Sequence, residues 1–262
     1  MRVIVIAEKN VVGNAVGNIL KEKYGFVSAP KLYGFETYQN GNNYMIISKT
    51  DVLHVSGLDF EAELFIFPST HRSQAKKPLF SAHCTGLFSD DKSHGGKACT
   101  LSGANSAAIR FALHKLREYN PDPACDVGLE VTHHGPYTQS PSIFVEVGGS
   151  KKEWEWQKGR EIITQVCYEL LTAPLKCEHS AIGFGGSHYA NKHTKAILDS
   201  IYAVGHICPK YAISKLTDEL VQQMVEKTVP RPSVALFDKK STKRKDWLKT
   251  ELTKQGVAVI QI

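Results

Sequence analysis

Short apolar runs alternate with amphipathic helical patterns along almost the whole chain, and this alternation restricts the possible folds more than any other feature. The strand-like runs are residues 3–7, 44–48, 63–67, 127–132, 143–147, 180–184, 234–237 and 257–260. Several are continuously apolar and β-branched, as expected for strands covered on both faces. Between many of them, apolar residues recur at helical spacing. The alternation predicts an α/β fold with a mostly parallel central sheet and helices on both faces.

The composition is that of an ordinary globular protein, with 262 residues, 42% of them hydrophobic and 22% charged. We find no convincing linker and expect a single domain over residues 1–262, with a loop-rich insertion around 51–105. No apolar stretch reaches the roughly 20 residues that span a bilayer. The first residues are typical of a strand rather than a signal peptide. The sequence thus predicts a cytoplasmic protein without a membrane or an obligate protein partner.

The strongest local signal is the run Glu130-Val131-Thr132-His133-His134-Gly135-Pro136. Side chains just past the carboxyl ends of strands line the crevice where α/β sheets bind ligands. Imidazoles there are typical metal ligands or proton carriers. In an extended strand, Glu130 and His134 share one face and His133 points to the other. The Gly-Pro turn would let both imidazoles reach one cavity, although strict alternation allows only one.

A second signal follows the run at 180–184, where a Gly-Gly turn leads to a helix expected near Asn191. Glycines let the backbone approach a ligand closely, and helix N-terminal amides suit an anion or a carbonyl oxygen. Gly185, Gly186 and Ser187 are therefore candidates for substrate binding, and His188 for metal binding. The alternative is a tight strand–helix turn whose histidine caps the helix.

Further candidates lie at or beside other apolar runs. His83, flanked by a short strand and a glycine, is a candidate metal ligand. For His71, which stands beside Arg72, a surface or substrate-contact role is at least as plausible as metal binding. Glu146 lies in an apolar strand, and burying it unpaired would cost several kcal/mol. It therefore requires a cation, either a metal or the Lys or Arg of a structural salt bridge.

A basic segment near the C-terminus forms a third signal. It comprises Lys239, Lys240, Lys243, Arg244 and Lys245, at the apparent start of a helix. Cations at a helix N-terminus interact unfavourably with the helix dipole. Their presence here therefore favours a phosphate-binding patch over an ordinary solvated run of charges. Lys76, Lys77, Lys92 and Lys97 could extend this patch.

With these residues in view, the chain resembles the archaeal and plant type of D-aminoacyl-tRNA deacylase, a zinc-dependent family. The resemblance is carried by the runs at 132–136 and 178–190, by Gly205-His206-Ile207-Cys208-Pro209-Lys210-Tyr211, and by the N-terminal Val-Ile-Ala-Glu-Lys-Asn. It implies an α/β fold like that of phosphorylase and peptidyl-tRNA hydrolase proteins, two zinc ions, and hydrolysis of D-aminoacyl-tRNA.

Placement and spacing suggest how such a reaction would use these residues. The predicted zinc ligands are His83, His133, His134 and His188. Glu130 or Glu146 is expected to be a further ligand or the general base. His206 would orient a ligand or protonate the leaving oxygen, and the basic segment would hold tRNA phosphates.

Two other functions fit parts of the sequence. A zinc amidohydrolase or carboxypeptidase-like enzyme acting on small substrates would use the same histidines but leaves the basic segment unexplained. A non-catalytic RNA-binding protein would have structural histidines. Aromatic residues make up 9% of the chain and form no stacking platform, which argues against that second alternative.

Overall fold

The structure, a computed structural model, describes residues 1–72 and 77–262. Lys76, one of the lysines expected to extend the basic patch, lies outside these ranges. The strands are β1 (Arg2–Ala7), β2 (Val27–Leu32), β3 (Phe35–Asn40), β4 (Asn43–Ser48), β5 (Leu64–Arg72), β6 (Leu79–His83), β7 (Gly103–Asn105), β8 (Asp126–Leu129), β9 (Pro141–Gly149), β10 (His179–Phe184), β11 (Tyr202–Cys208), β12 (Thr228–Val229), β13 (Val234–Phe237) and β14 (Ala258–Gln261). The helices are α1 (Val11–Lys23), α2 (Ser106–Tyr119), α3 (Lys151–Trp154), α4 (Gln157–Thr172), α5 (Asn191–Leu198), α6 (Asp218–Glu226) and α7 (Lys245–Lys254).

The strands form two sheets rather than one central sheet. The large sheet has the order β12-β7-β9-β5-β1-β4-β3-β2, and β6 pairs with β9 and carries β8 beside it. It is mixed, because β2, β3 and β4 form an antiparallel meander and β6 runs antiparallel to β9. The small sheet, β11-β10-β13-β14, is parallel throughout. The α/β class and the mostly parallel pairing are thus confirmed, whereas the likeness to phosphorylase and peptidyl-tRNA hydrolase proteins stays a prediction.

Helices cover both faces of the small sheet but only one face of the large sheet. On that face, α1, α2 and α4 pack their apolar stripes against the strands, with Val16, Leu113 and Val166 fully buried. The other face is covered by residues 52–62, which bury Val55 and Phe60 against the sheet. This segment belongs to the region predicted to be loop-rich, which also contains β5, β6 and β7. The expectation of helices on both faces was wrong for the large sheet, because a segment with a single 3-10 turn and no α-helix supplies enough apolar side chains to cover it.

The domain division and the membrane were also subjects of the sequence analysis. The division into a single domain over 1–262 with an insertion stays a prediction. Within the described residues, no helix is long and apolar enough to cross a membrane.

Asp238 holds the turn that follows β10. Its backbone N–H donates to the carbonyl of Phe184 at 2.9 Å, and its carboxylate accepts from Lys192 Nζ at 2.9 Å. A side chain at Gly185, whose φ is +94°, would place its Cβ 3.0 Å from that of Asp238. Burial alone would raise the pKa of Asp238, but the hydrogen bonds from Lys192 and Ser241 lower it to about 2. The charged carboxylate therefore stabilises the folded protein.

We expect Asp238→Asn to lower the free energy of unfolding by about 1–2 kcal/mol at neutral pH. Because the folded-state pKa of about 2 lies below the ordinary value of 3.8, this stabilisation is present above the ordinary pKa and is lost as the pH falls through the folded-state pKa. Denaturant unfolding of both proteins at neutral and acid pH measures the difference. Asp199→Asn is the control, since Asp199 faces Arg117 at 3.6 Å on the exposed surface, where ion pairs contribute little. A difference that does not change with pH would show that the charge of Asp238 is unimportant.

Candidate metal centre

The candidate site lies on one face of the large sheet, with its floor formed by β5, β6 and β9. β9 pairs in parallel with β5 and antiparallel with β6, so that Glu146 lies opposite Ser69 on one side and Ser81 on the other. Paired residues point to the same face, and side chains alternate along each strand. His71 and His83, each two residues further along its strand, therefore point to the same face as Glu146. His83 is the last residue of β6 and His71 is the last but one of β5, so both histidines lie at strand ends, as the sequence predicted. Glu146 instead lies within β9.

Residues 130–134 pass over this floor and bring both neighbouring histidines to it. β8 was predicted to reach residue 132 but ends at Leu129, because the chain turns away and Glu130 forms a bridge with Tyr189. His134 has a left-handed φ of 46°, a conformation that costs a non-glycine residue about 1–2 kcal/mol. It breaks the strand alternation, and the rings of His133 and His134 lie 4.2 Å apart between centroids. Both imidazoles thus reach one cavity, which strict alternation would forbid.

Glu130 is the centre of the cluster and is 1% exposed. Its Oε2 lies 2.9 Å from His188 Nε2, 3.0 Å from His71 Nδ1 and 3.5 Å from His133 Nε2. Its Oε1 accepts a hydrogen bond from the hydroxyl of Ser81. Burial alone would raise the pKa of Glu130, but the contacts with His188 and His71 hold it well below its usual range. The carboxylate is therefore ionised in spite of its burial.

Glu146 provides a second buried carboxylate. Its Oε2 lies 3.3 Å from His83 Nε2 and 3.7 Å from His71 Nδ1, so that His71 stands between two carboxylates. Burial acts to lower the pKa of both histidines, but Glu130 raises the pKa of His71, and Glu146 raises that of His83, above the ordinary value. The site thus favours positive charge beside the carboxylates. No Lys or Arg side chain of the described residues forms a salt bridge with Glu146, so the structural alternative of a Lys or Arg partner does not apply.

Three histidines are oriented in the way that metal ligands usually are. Nδ1 of His83 contacts the Cys84 carbonyl oxygen at 3.0 Å, Nδ1 of His133 contacts that of Val131 at 2.7 Å, and Nδ1 of His134 contacts that of Gly135. A carbonyl only accepts, so each Nδ1 carries the proton, and in the neutral ring Nε2 has a free lone pair. For His83 and His133, that lone pair faces a carboxylate oxygen. Two electron-rich atoms facing each other need a proton or a cation between them.

The donor set therefore fits metal ions. Three groups among the described residues have ligand atoms within 4.8 Å of one another: His83, His133 and His134; His71, Glu130 and His188; and His83, Glu130 and Glu146. The first group supplies three imidazoles, which is a common zinc ligand set. Burial lowers the pKa of His134 to about 3 and that of His133 well below its ordinary value, and neighbouring imidazoles add to both effects. Both histidines are thus held neutral, as ligation requires.

The cluster opens into a pocket of about 560 Å³. His71, His133, His134, Glu146 and His188 face this pocket. Its walls come from residues 51–53, 86–91 and 209–215. Below the cluster, the Phe144 ring stacks on His83 with 5.3 Å between centroids and meets His134 edge-on at 4.9 Å. One side of the cluster is thus closed by aromatic surface and the other is open to a ligand.

The structure brings together the four predicted zinc ligands and both predicted carboxylates. It also adds His71, for which the sequence left metal binding and substrate contact open. Tyr189 was missed, and its hydroxyl lies 3.0 Å from Nε2 of His71. The only sequence signal for it was its position next to His188. Ser81 was also missed, although its two-residue spacing from His83 could have placed it on the same face.

His206 lies apart from the cluster and is fully buried. Its Nε2 contacts the carbonyl of Ser102 at 3.0 Å, and its Nδ1 contacts Thr132 Oγ1 at 3.1 Å and Cys84 Sγ at 3.2 Å. Thr132 precedes His133, and Cys84 follows His83. His206 thus contacts both segments that carry the paired histidines, and it does not line the pocket.

The residues of the glycine turn form hydrogen bonds within the protein. The amide of Gly186 donates to Ser241 Oγ at 2.7 Å, that of Gly185 donates to the carbonyl of Cys208 at 2.9 Å, and Ser187 Oγ donates to the carbonyl of Tyr189 at 3.0 Å. None of the three predicted substrate-binding residues lines the pocket. Their contacts hold the loop that carries His188.

The basic segment lies at a helix start, as predicted, with Lys245 as the first residue of α7. Arg244 stacks on Trp247 at 3.7 Å and contacts the carbonyl of Leu216 at 2.8 Å. Lys215, next to Leu216, lines the pocket. The segment therefore adjoins one rim of the pocket through Arg244.

The family model and the curated relatives carry the same description. Residues 58–260 match the family described as D-aminoacyl-tRNA deacylase. The chain is similar to proteins named D-aminoacyl-tRNA deacylase from Thermococcus kodakarensis (32% identity, 93% of this chain and 92% of the relative) and Staphylothermus marinus (31%, with 92% and 91% covered). It is also similar to a crystal structure described as a conserved protein of unknown function, with a TM-score of 0.90 and 25% identity over 100% of this chain and 95% of the other.

Because the donor set fits metal ions, we expect zinc to stabilise the protein when it is added back after chelator treatment. Zinc at 100 times its dissociation constant adds about 2.7 kcal/mol by linkage, which thermal unfolding would measure as a rise in Tm. We expect His133→Ala to bind less zinc and to show a smaller rise. The control is His179→Ala, at the exposed start of β10. Equal zinc content and equal stabilisation in the two variants would contradict the assignment.

Proposed function

The chain belongs to the D-aminoacyl-tRNA deacylase family, and from this premise we propose that it hydrolyses the ester bond of D-aminoacyl-tRNA, releasing the free D-amino acid and tRNA. The observation that carries the proposal is the convergence of imidazoles and two buried carboxylates beneath an open pocket. An ester hydrolase needs a base for water and a positive centre near the carbonyl oxygen. This cluster can supply the base and bind the cation.

We further propose that the protein holds two zinc ions. His83, His133 and His134 would hold one, and His71, Glu130 and His188 the other. When bound, zinc polarises a carbonyl and makes water more acidic. The two groups share no residue, and Glu130 Oε2 lies 3.5 Å from His133 Nε2, so the carboxylate adjoins both.

Glu146 is the better general base of the two carboxylates left open by the sequence. Glu130 Oε2 lies against three imidazoles and Glu130 does not line the pocket, whereas Glu146 lies against two imidazoles and lines the pocket. In the proposed reaction, water adds to the ester carbonyl carbon while the Glu146 carboxylate accepts its proton. The bond from that carbon to the ribose oxygen then breaks. Glu146 returns the proton to the ribose oxygen, which leaves as a hydroxyl, so the carboxylate ends as it began.

His206 is assigned a positioning role rather than that of the acid. Both of its ring nitrogens are engaged and it is separated from the pocket. Through Thr132 and Cys84 it steadies the backbone on which His133 and His83 stand. The sequence had left orientation and protonation open.

The proposed partner is the polyanionic tRNA. The protein carries a formal charge of +6, and the basic segment adjoins the pocket rim at Lys215. Phosphates bound there would position the aminoacyl end over the cluster. Because such a substrate belongs to translation, the proposed location is the cytoplasm.

The proposed function is tested by deacylation of matched D-tyrosyl-tRNA and L-tyrosyl-tRNA, with and without a chelator. We expect faster release of the D-amino acid, loss of turnover with the chelator, and recovery on adding zinc. Equal rates for the two enantiomers would contradict the specificity, and turnover unaffected by the chelator with no bound zinc would contradict the metal mechanism. Salt-independent turnover of free N-acyl amino acids would instead favour a small-substrate amidohydrolase.

The role of Glu146 gives a separate prediction. Glu146→Gln keeps the side-chain shape but removes the base, and we expect kcat to fall by about 10²–10⁴-fold while zinc content is retained. The control is Asp91→Asn, an exposed carboxylate that lines the same pocket. Activity of Glu146→Gln close to that of the control would show that the base is another group.

A further inference from the structure

A second group of positive charges lies away from the basic segment, around the ring of Tyr137. Lys97 Nζ lies 3.9 Å from the centre of this ring, and Lys227 Nζ lies 5.5 Å from it. Two ammonium groups therefore share one aromatic ring. We call this set the Tyr137 cluster, consisting of Lys97, Tyr137 and Lys227.

The Tyr137 cluster is attached to the rim of the pocket. Tyr137 follows His134 by three residues, and Lys97 follows His94, which lines the pocket. The two segments are tied together, since the Gly135 amide donates to the carbonyl of His94 at 2.9 Å. They also touch through backbone, because a Cβ added at Gly135 would come 2.3 Å from the nitrogen of Gly96. The cluster is thus held in a set relation to the histidines.

Neither lysine of the cluster forms a salt bridge within 4.0 Å among the described residues, although the charge of Glu226 acts on its neighbour Lys227. Lys227 Nζ donates to the carbonyl of Leu101 at 2.8 Å and to Gln223 Oε1 at 2.9 Å, which holds it in place. Lys97 is exposed, and its contact with the ring restricts an otherwise flexible side chain. An anion would find a cation already in position, so binding requires less ordering.

Burial and the charge of Lys97 together lower the pKa of Lys227. The positive charge of Lys97 thus acts on the ammonium group of Lys227, and a bound anion would offset the charge of both groups.

We propose that the Tyr137 cluster binds a backbone phosphate of the tRNA, with Lys97 as the direct contact. This inference rests on the proposed function, because the phosphate is that of the proposed substrate. The cluster is tied to the pocket rim at His94, and the basic segment adjoins the rim at Lys215. Two separate phosphate contacts at the rim would restrict how the tRNA end enters the pocket.

The test measures binding of an unacylated tRNA transcript at several salt concentrations, by fluorescence anisotropy. We expect Lys97→Ala to bind several-fold more weakly and to lower the slope of log affinity against log salt by about 1. Lys97→Arg, which keeps the charge and the contact with the ring, should restore both. The control is Lys31→Ala, which removes an exposed lysine on β2. β2 and β12 form opposite edges of the large sheet, and Lys227 directly precedes β12, so Lys31 is remote from the cluster.

Equal losses in Lys97→Ala and Lys31→Ala would overturn the proposal, since they would show an effect of net charge alone. No loss in Lys97→Ala would overturn it as well. Thermal unfolding of each variant separates binding from folding. The two proposals can fail separately. If the protein binds tRNA through Lys97 but does not release D-tyrosine, the phosphate site stands and only the proposed activity is wrong.

Discussion

An ionised carboxylate that is removed from water must be surrounded by positive charge or by hydrogen-bond donors, and the candidate site is arranged around one such group. Burying an unpaired carboxylate costs several kcal/mol, and Glu130 is 1% exposed. Its neighbours come from β5, β6, the segment after β8 and the loop after β10. The last of these belongs to the small sheet. The requirement to solvate one carboxylate therefore links both sheets at the site.

The position of the site depends on how β9 is paired. Because β9 is parallel to β5 and antiparallel to β6, side chains from three strands point to one face with Glu146 between them. On the same face, Phe144 closes the cluster from below. Since residues 52–62 and not a helix cover the rest of that face, space is left for a pocket. The mixed pairing thus creates a polar cluster with a dry floor and an open top.

The sequence predicted most of the members of the cluster but not their arrangement. His83, His133, His134, His188 and Glu146 were recognised because polar residues at the edges of apolar runs, or within them, are unusual. Periodicity alone could not show that both His133 and His134 enter the cavity, since this depends on the left-handed turn at His134. Nor could it separate His206 from the cluster, because strand-edge histidines look alike until their neighbours are known. For the glycine turn, the composition suggested backbone amides that bind a ligand. In the structure, those amides instead donate hydrogen bonds to Ser241 and Cys208.

By itself, the sequence determined the α/β class, eight of the strands that the structure describes, the residue types of the site, and the family, because these follow from local periodicity and from runs of adjacent residues. The tertiary structure decided the division into two sheets, the covering of one face by a segment without an α-helix, and the grouping of His71 with Glu130 and His188. Those contacts join residues that are up to 117 positions apart. Their geometry depends on strand register and direction, which a one-dimensional pattern does not contain.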